Sequence, residues 1–281
     1  PVVMERNPAF HGTAPAFARV EFRPIANAGA RVAALQAGDV DLIEIVPPDH
    51  FARFRQETAR FGVAESPSNR LIFLTLDSDR EDSPHVRGKD GSRIANPLRD
   101  ARVRRALSLA INREAIVSRV LQGQALAAGD LGPPGYFGTS PDLTPPPFDL
   151  PQAQRLLAEA GWGQGFAVQV NGPIAQMWTR LGLATNVETR TRAVWLSEAA
   201  QLRYSVNLAG FSPNPEVLGM LETQIHSWNP QLGLGTANRG RFSNAEIDAL
   251  IQRARATIDD EQRRALTQQA TRMALRDQTA L

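Results

Sequence analysis

The sequence predicts an α/β protein in which helices cover a parallel or mixed β-sheet. Residues 20–25 alternate apolar and polar side chains, as a strand with one buried face does. Residues 71–76 form a dense apolar run between polar neighbours, which is typical of a strand buried on both faces. Helix start and stop signals lie between these two segments, and the resulting strand–helix–strand order favours helices packed on a sheet.

Two short helices and one more strand are predicted in the first 60 residues. Asn27 is a good N-cap, and Gly38 stands where a left-handed residue ends the helix that Asn27 begins. Residues 40–46 are mostly apolar and are followed by two prolines, so they are predicted to form a strand that stops there. A second helix is predicted to begin at Asp49, whose negative charge suits a helix N-terminus.

A pair of helices is predicted over residues 96–123, NPLRDARVRRALSLAINREAIVSRVLQG. Asn96 is predicted to cap the first helix, which has Leu107 on its apolar face and arginines on the opposite, solvated face. Asn112 is predicted to cap the second helix, and Gly123 to end it. These signals predict where both helices begin and end, but they do not indicate a function.

The rest of the chain alternates between long connections and further elements. Residues 78–95 are polar and rich in helix breakers, so they are predicted to be a loop, and residues 129–147 form a second, Gly/Pro-rich connection. Two capping boxes, Asp149 with Gln152 and Ser243 with Glu246, predict helix starts. The other predicted elements are strands at 166–170, near Val187 and at 204–211, and helices at 174–181 and from Asp259.

Composition and motifs restrict the possible functions. The 281 residues include no cysteine, which excludes disulfides, thiolate metal ligands and cysteine nucleophiles. The four histidines are far apart, and the sequence contains no Gly-rich phosphate loop and no serine-hydrolase motif. We therefore predict no cofactor, no metal site and no enzymatic activity.

The charge pattern and hydropathy exclude two further classes. The net charge is only +2, and the basic residues alternate with acids along predicted helices, so no nucleic-acid surface is predicted. No apolar run approaches the roughly 18 residues of a membrane span. The sequence starts at Pro1 without an apolar leader, so a signal peptide is expected to be absent from it.

Four stretches of the sequence carry a collinear resemblance to one protein family. They are residues 19–44, 96–117, 132–162 and 238–259. In this order they resemble the peptide/nickel class of extracellular (periplasmic) solute-binding proteins, which serve ABC importers and include dipeptide- and oligopeptide-binding proteins. They are spread along most of the chain, from residue 19 to residue 259, so the resemblance is far more specific than a short motif.

The resemblance implies a class II periplasmic-binding-protein-like fold, with two lobes of mixed sheets flanked by helices. Members of the family are nearly twice as long, so the first lobe is expected to be incomplete. Residues 1–76 are expected to be the remnant of lobe one, residues 77–270 lobe two, and residues 271–281 a return segment toward lobe one. The family also implies a periplasmic location.

The resemblance implies non-covalent binding of a small peptide or peptide-like solute in a cleft between lobes, and its delivery to an inner-membrane ABC permease. Peptide-binding members place an acid just after a Gly-Trp strand end, where it pairs with the peptide amine. The matching stretch, 210–216, has Phe211 and Asn214 instead, so Glu216 would have to supply the charge. The expected ligand contacts are Asn69 and Phe73 near the hinge, then Phe211, Asn214 and Glu216 at the strand end.

Other interpretations stay open at this point. Residues 210–216 could be an ordinary strand end followed by a proline turn. The solute could be an opine, a glutathione-like compound or a metal chelate instead of a peptide. The chain could also be an interaction domain that keeps the fold without transport, and the chemical identity of a bound solute would discriminate between these possibilities.

Overall fold

The computed structural model describes residues 1–170, 172–212 and 216–277, and these form an α/β structure of short sheets and flanking helices. The strands are Val2–Glu5 (β1), Arg19–Phe22 (β2), Leu71–Leu76 (β3), Val86–Arg87 (β4), Ala167–Gln169 (β5), Ala184–Asn186 (β6) and Val206–Phe211 (β7). The helices are Ala28–Ala37 (α1), Pro48–Gln56 (α2), Ala101–Leu109 (α3), Arg113–Ala115 (α4), Leu150–Glu159 (α5), Gly172–Leu181 (α6), Arg192–Ala200 (α7), Leu218–Met220 (α8), Ala245–Ala256 (α9) and Asp260–Asp277 (α10). Pro97–Arg99 is a 3₁₀ turn, and π-helical turns follow α4 at Ile116–Val120 and α8 at Leu221–Ile225.

The strands form three small sheets. β1 pairs with β2, and β3 pairs with β7, both antiparallel. β5 lies between β4 and β6, antiparallel to β4 and parallel to β6. The predicted mixed sheet flanked by helices is therefore confirmed, although it is divided among short sheets. The segment predicted as a plain loop at 78–95 contributes β4, because Val86 is buried against this mixed sheet.

The chain divides into two compact units, Pro1–Glu65 and Ser66–Leu281. The smaller unit contains β1, β2, α1 and α2, and its buried apolar side chains include Val32 and Phe54. Strand β3, expected at the end of lobe one, packs within the larger unit. The assignment of residues 1–76, 77–270 and 271–281 to lobes stays a prediction, and the last four residues of the return segment lie outside the described part.

The antiparallel ribbon of β3 and β7 separates two apolar clusters in the larger unit. Residues paired directly across an antiparallel ribbon lie on the same face. Leu74 and Leu76 of β3, with Val206 of β7, belong to the first cluster, which also includes Leu107 of α3 and Trp178 of α6. The opposite face carries the second cluster, which gathers apolar side chains of α8, α9 and α10.

The predicted strand at 40–46 is wrong. The structure has no strand there, and Leu42 and Ile45 are 80% and 71% exposed. Ile45 also has a φ of 60°, in the left-handed region that interrupts an extended backbone. The apolar composition of this segment therefore misled the prediction, because no sheet edge among the described residues receives it.

The helical pair is confirmed in outline and differs in detail. Asn96 accepts from Leu98 N and caps a 3₁₀ turn that precedes α3. Asp100 caps α3 itself, by accepting from Arg102 N at 2.8 Å. Asn112 caps the second helix as predicted. This helix continues as a π-helical turn, in which Val120 is 48% exposed. The apolar side chains of Ile116, Val117 and Leu121 in this element are only half-buried.

The sequence predicted the arginines of α3 on a solvated face, but one of them is buried. Arg104 is 6% exposed and donates to the carbonyl oxygens of Leu98, Arg99 and Asp277. Burial lowers the pKa of Arg104 from its usual value. The guanidinium thereby ties the C-terminal end of α10 to the start of α3.

The other helix starts are close to their predicted positions. Asn27 accepts from Ala30 N, and Gly38, with a φ of 81°, ends α1. Asp149 accepts from Gln152 N at the start of α5. The cap of α9 is Asn244, not Ser243, because Asn244 Oδ1 accepts from the backbone N–H groups of Glu246 and Ile247. In the described ranges, no helix is long and apolar enough to cross a bilayer.

The packing of the first cluster predicts a large effect for Leu107→Ala. The side chain is fully buried between α3 and its neighbours, so its loss removes apolar burial and leaves a cavity. We expect the free energy of unfolding to fall by about 2–5 kcal/mol in a reversible denaturant titration. The control Arg105→Ala changes an exposed position of the same helix and should cost less than about 0.5 kcal/mol. Equal small losses for both would mean that the core was assigned wrongly.

Candidate functional site

Two of the predicted ligand contacts lie on the ribbon face that packs against the second apolar cluster. Phe73 is 3% exposed and contributes to that cluster, so its ring is occupied in packing. Phe211 is half-buried at the end of β7, directly opposite Leu71. Their roles as ligand contacts stay predictions.

The other three predicted contacts lie beyond the ends of the paired strands. Asn69 is half-buried just before β3, at the same ribbon end as Phe211. Glu216 is half-buried, and its backbone forms an isolated parallel bridge with Phe137. Asn214 lies outside the described residues. The structure therefore places Asn69 and Phe211 at the same end of the ribbon and pairs the backbone of Glu216 with the connection at 129–147.

The opposite face of the ribbon forms the floor of a cavity of about 280 Å³ in the larger unit. Val206, Leu208 and Gly210 alternate along β7 and supply this floor. The cavity, called here the arginine pocket, is walled by Arg70, Glu188, Arg190, Arg192, Trp195 and Tyr204. It combines an apolar floor with charged and aromatic walls, which suits binding of a small polar solute.

Three segments bring these walls together. Arg70 directly precedes β3, and Tyr204 lies just before β7, so the ribbon sets both positions. Arg192 begins α7, and Trp195 follows one helical turn later on the same face. Glu188 and Arg190 lie in the connection between β6 and α7. The pocket is therefore assembled from parts that are more than 100 residues apart in the chain.

The charges in the arginine pocket are unevenly paired. Arg190 forms an ion pair with Glu188 and lies 3.9 Å from Glu198. Gln169 Nε2 donates to Glu188 Oε2 at 2.5 Å, which fixes this carboxylate along the wall. Arg70 and Arg192 have no carboxylate partner among the residues that the structure describes. The pocket consequently carries an excess of positive charge.

Tyr204 is held as a hydrogen-bond donor at the edge of the pocket. Its hydroxyl donates to Glu198 Oε2. Burial, followed by the hydrogen bond to Glu198, raises the pKa of Tyr204 above its usual value. The side chain therefore stays neutral at physiological pH and adds no charge to the arginines.

Gly210 allows the guanidinium of Arg70 to lie across β7. A Cβ atom at position 210 would stand 2.9 Å from both Nε and Nη2 of Arg70, closer than real Cβ contacts allow. It would also stand 2.9 Å from Cδ1 of Ile72, the cross-strand partner of Gly210. The absence of a side chain at this position thus leaves room for the Arg70 guanidinium over the strand.

A buried polar group, called here the Asp77 anchor, fixes the other end of the ribbon. Asp77 Oδ2 accepts from Arg80 Nε at 2.7 Å and from Ser83 Oγ at 2.6 Å. Arg80 in turn donates to the carbonyl oxygens of Leu202 and Tyr204, at 2.7 and 3.1 Å. The Asp77 anchor therefore positions the backbone that carries the Tyr204 side chain into the arginine pocket.

Sequence reasoning did not single out Arg70, Arg190 or Arg192. A partial signal exists, because Arg190 and Arg192 flank a single threonine between a short strand and a helix. Nothing local indicates that Arg70 joins them, since only the pairing of β3 with β7 brings it there.

Two solved structures with a similar fold are periplasmic binding proteins or relatives of them. The periplasmic binding protein DppA of Helicobacter pylori, solved in complex with the peptide STSA, matches 99% of this chain and 53% of its own, with a TM-score of 0.81 at 19% identity. NikA of Brucella suis, solved in complex with Fe(III)-EDTA, matches 99% of this chain and 58% of its own, with a TM-score of 0.79 at 19% identity. The fold is therefore that of the periplasmic binding proteins.

Sequence comparisons specify the family. The dipeptide-binding protein of Escherichia coli K12 is 26% identical over 93% of this chain and 48% of its own length. Heme-binding protein A of Haemophilus influenzae is 26% identical over 88% of this chain and 44% of its own length. The family model described as bacterial extracellular solute-binding proteins, family 5 Middle, matches residues 1–229, so the chain belongs to this family.

The match covers only part of each relative. The chain spans about half the length of the curated relatives that it matches. These relatives are binding proteins rather than enzymes.

The Asp77 anchor predicts a specific loss of stability. Asp77→Ala removes the buried acceptor of Arg80 and Ser83, and we expect the free energy of unfolding to fall by about 2–5 kcal/mol. The control Asp79→Ala removes an exposed carboxylate two residues away and should change stability by less than about 0.5 kcal/mol. Chemical denaturation of both variants measures the difference. Similar values would show that the anchor does not hold the ribbon end.

Proposed function

We propose that this chain is part of the solute-binding component of an ABC importer, which captures a peptide or peptide-like solute in the periplasm. The captured solute is delivered to an inner-membrane permease. Family membership supports the binding role, and the relatives named for dipeptide binding support the solute class. Because the relatives are about twice as long, the whole protein, not this chain alone, performs the complete cycle.

The observation that carries this proposal is the arginine pocket on the β3–β7 ribbon. Its floor is Gly210 with the apolar side chains of Val206 and Leu208, and its walls are hydrogen-bonding and aromatic groups. Such a surface orients a solute through a few polar contacts and removes its apolar parts from water. Peptide-like solutes have both kinds of group in a small volume, which matches these walls.

Co-purification of a solute tests the proposed function. We expect the natural full-length protein, denatured after gentle purification, to release a peptide-like compound that mass spectrometry identifies. The emptied protein should gain thermal stability when the compound is returned, since a ligand at about 100 times its Kd stabilises by about 2.7 kcal/mol. A protein that neither carries a solute nor responds to peptides by calorimetry would contradict the proposal.

A tryptophan pair provides a matched test of the site. Trp195→Ala removes an aromatic wall of the arginine pocket, and we expect it to weaken solute binding by about tenfold, measured by isothermal calorimetry. Trp228→Ala removes a tryptophan that is 53% exposed outside the pocket, where it lies under Arg241, and should leave the Kd unchanged. Equal effects of the two substitutions would move the binding site away from the arginine pocket.

A further inference from the structure

The unpaired charge of the arginine pocket points to the chemistry of its solute. Arg190 is neutralised by Glu188, but Arg70 and Arg192 have no carboxylate partner in the described part of the chain. Both side chains are exposed, so water solvates them, and an anionic group that enters the pocket meets two guanidinium groups that no carboxylate of the described residues neutralises. Two guanidinium groups around one cavity therefore create a site for an anion.

The geometry of a guanidinium group favours a carboxylate as the anion. Arginine presents a planar fork of N–H donors that matches the two oxygens of a carboxylate. Arg70 lies across Gly210 on the floor, while Arg192 begins α7 on the wall, so a carboxylate would receive donors from two directions. Trp195, one turn along α7, offers a flat surface for the carbon chain that carries this carboxylate.

The size of the cavity limits how much of a solute can enter. At about 280 Å³ it lies at the lower end of the range for ligand pockets, about 300–1,000 Å³. This space suits one side chain and not a whole oligopeptide. An acidic side chain fits both the volume and the charge.

On these grounds we propose that the arginine pocket binds the acidic side chain of a peptide-like solute, so that the protein prefers acidic peptides to neutral or basic ones. This inference rests on the proposed function and adds a substrate class to it. Arg70 and Arg192 are the residues that determine the preference, and Gly210 leaves the space in which the Arg70 guanidinium lies. Glu188 keeps Arg190 paired, which leaves the two free guanidinium groups to act on the solute.

Three tripeptides that differ at one side chain test the preference. Calorimetry of the natural full-length protein, emptied of solute, compares Ala-Glu-Ala, Ala-Gln-Ala and Ala-Lys-Ala. All three keep the same terminal carboxylate, so a difference reports the side chain alone. We expect Ala-Glu-Ala to bind about tenfold tighter than Ala-Gln-Ala, and Ala-Lys-Ala to bind weakest. Added salt should reduce this advantage, because it screens charges that are open to solvent.

Variants assign the preference to the pocket. Arg70→Gln and Arg192→Gln keep hydrogen-bonding ability and remove the charge, and each should remove part of the preference of about tenfold for Ala-Glu-Ala. Gly210→Ala keeps the charge and displaces the Arg70 guanidinium, so it should lower the preference in the same direction. The control Arg253→Gln removes an exposed arginine of α9 that does not line the pocket, and should leave the preference unchanged.

The outcomes separate this inference from the proposed function. Equal binding of Ala-Glu-Ala and Ala-Gln-Ala would overturn the acidic preference and leave peptide binding intact. If the preference survives both Arg70→Gln and Arg192→Gln, then the acidic side chain does not bind in the arginine pocket. Binding of none of the three peptides would overturn the proposed function and the inference together.

Discussion

The six-residue register between β3 and β7 is the constraint on which the rest of the larger unit depends. It pairs Leu71 with Phe211 and Leu76 with Val206, although about 130 residues separate the two strands. Because side chains alternate between faces, this register decides which residues enter each apolar cluster. It also decides that Gly210 and Arg70 meet over the pocket floor. A slip of one residue would exchange the two faces and remove the pocket.

The ribbon combines an apolar interior with polar groups at both of its ends. At one end the Asp77 anchor satisfies a buried carboxylate through Arg80 and Ser83. At the other end Arg70 has no such carboxylate among the described residues. The buried carboxylate of Asp77 needs partners within the protein, because a buried charge without one costs free energy. The exposed guanidinium of Arg70 is solvated and can pair with a charge on a solute. The first arrangement holds the fold, and the second is available for binding.

Local signals in the sequence predicted much of the fold. Helix caps such as Asn27, Asn112 and Asp149 were found correctly because one side chain bonds to its own first turn. The segment at 40–46 failed, since a strand needs a partner edge that its own residues do not encode. Arg104 was read as solvated because its bonds to Asp277 depend on tertiary contact. The arginine pocket escaped prediction for the same reason, as its walls meet only through the long-range register.

The most direct measurement is a crystal structure of the natural full-length protein with Ala-Glu-Ala bound. We expect the glutamate carboxylate to lie within hydrogen-bond distance of the guanidinium groups of Arg70 and Arg192, with its carbon chain against Trp195. We also expect Phe73 to remain packed in the second apolar cluster. A peptide bound elsewhere, with Arg70 and Arg192 still facing solvent, would show that the arginine pocket does not bind the acidic side chain.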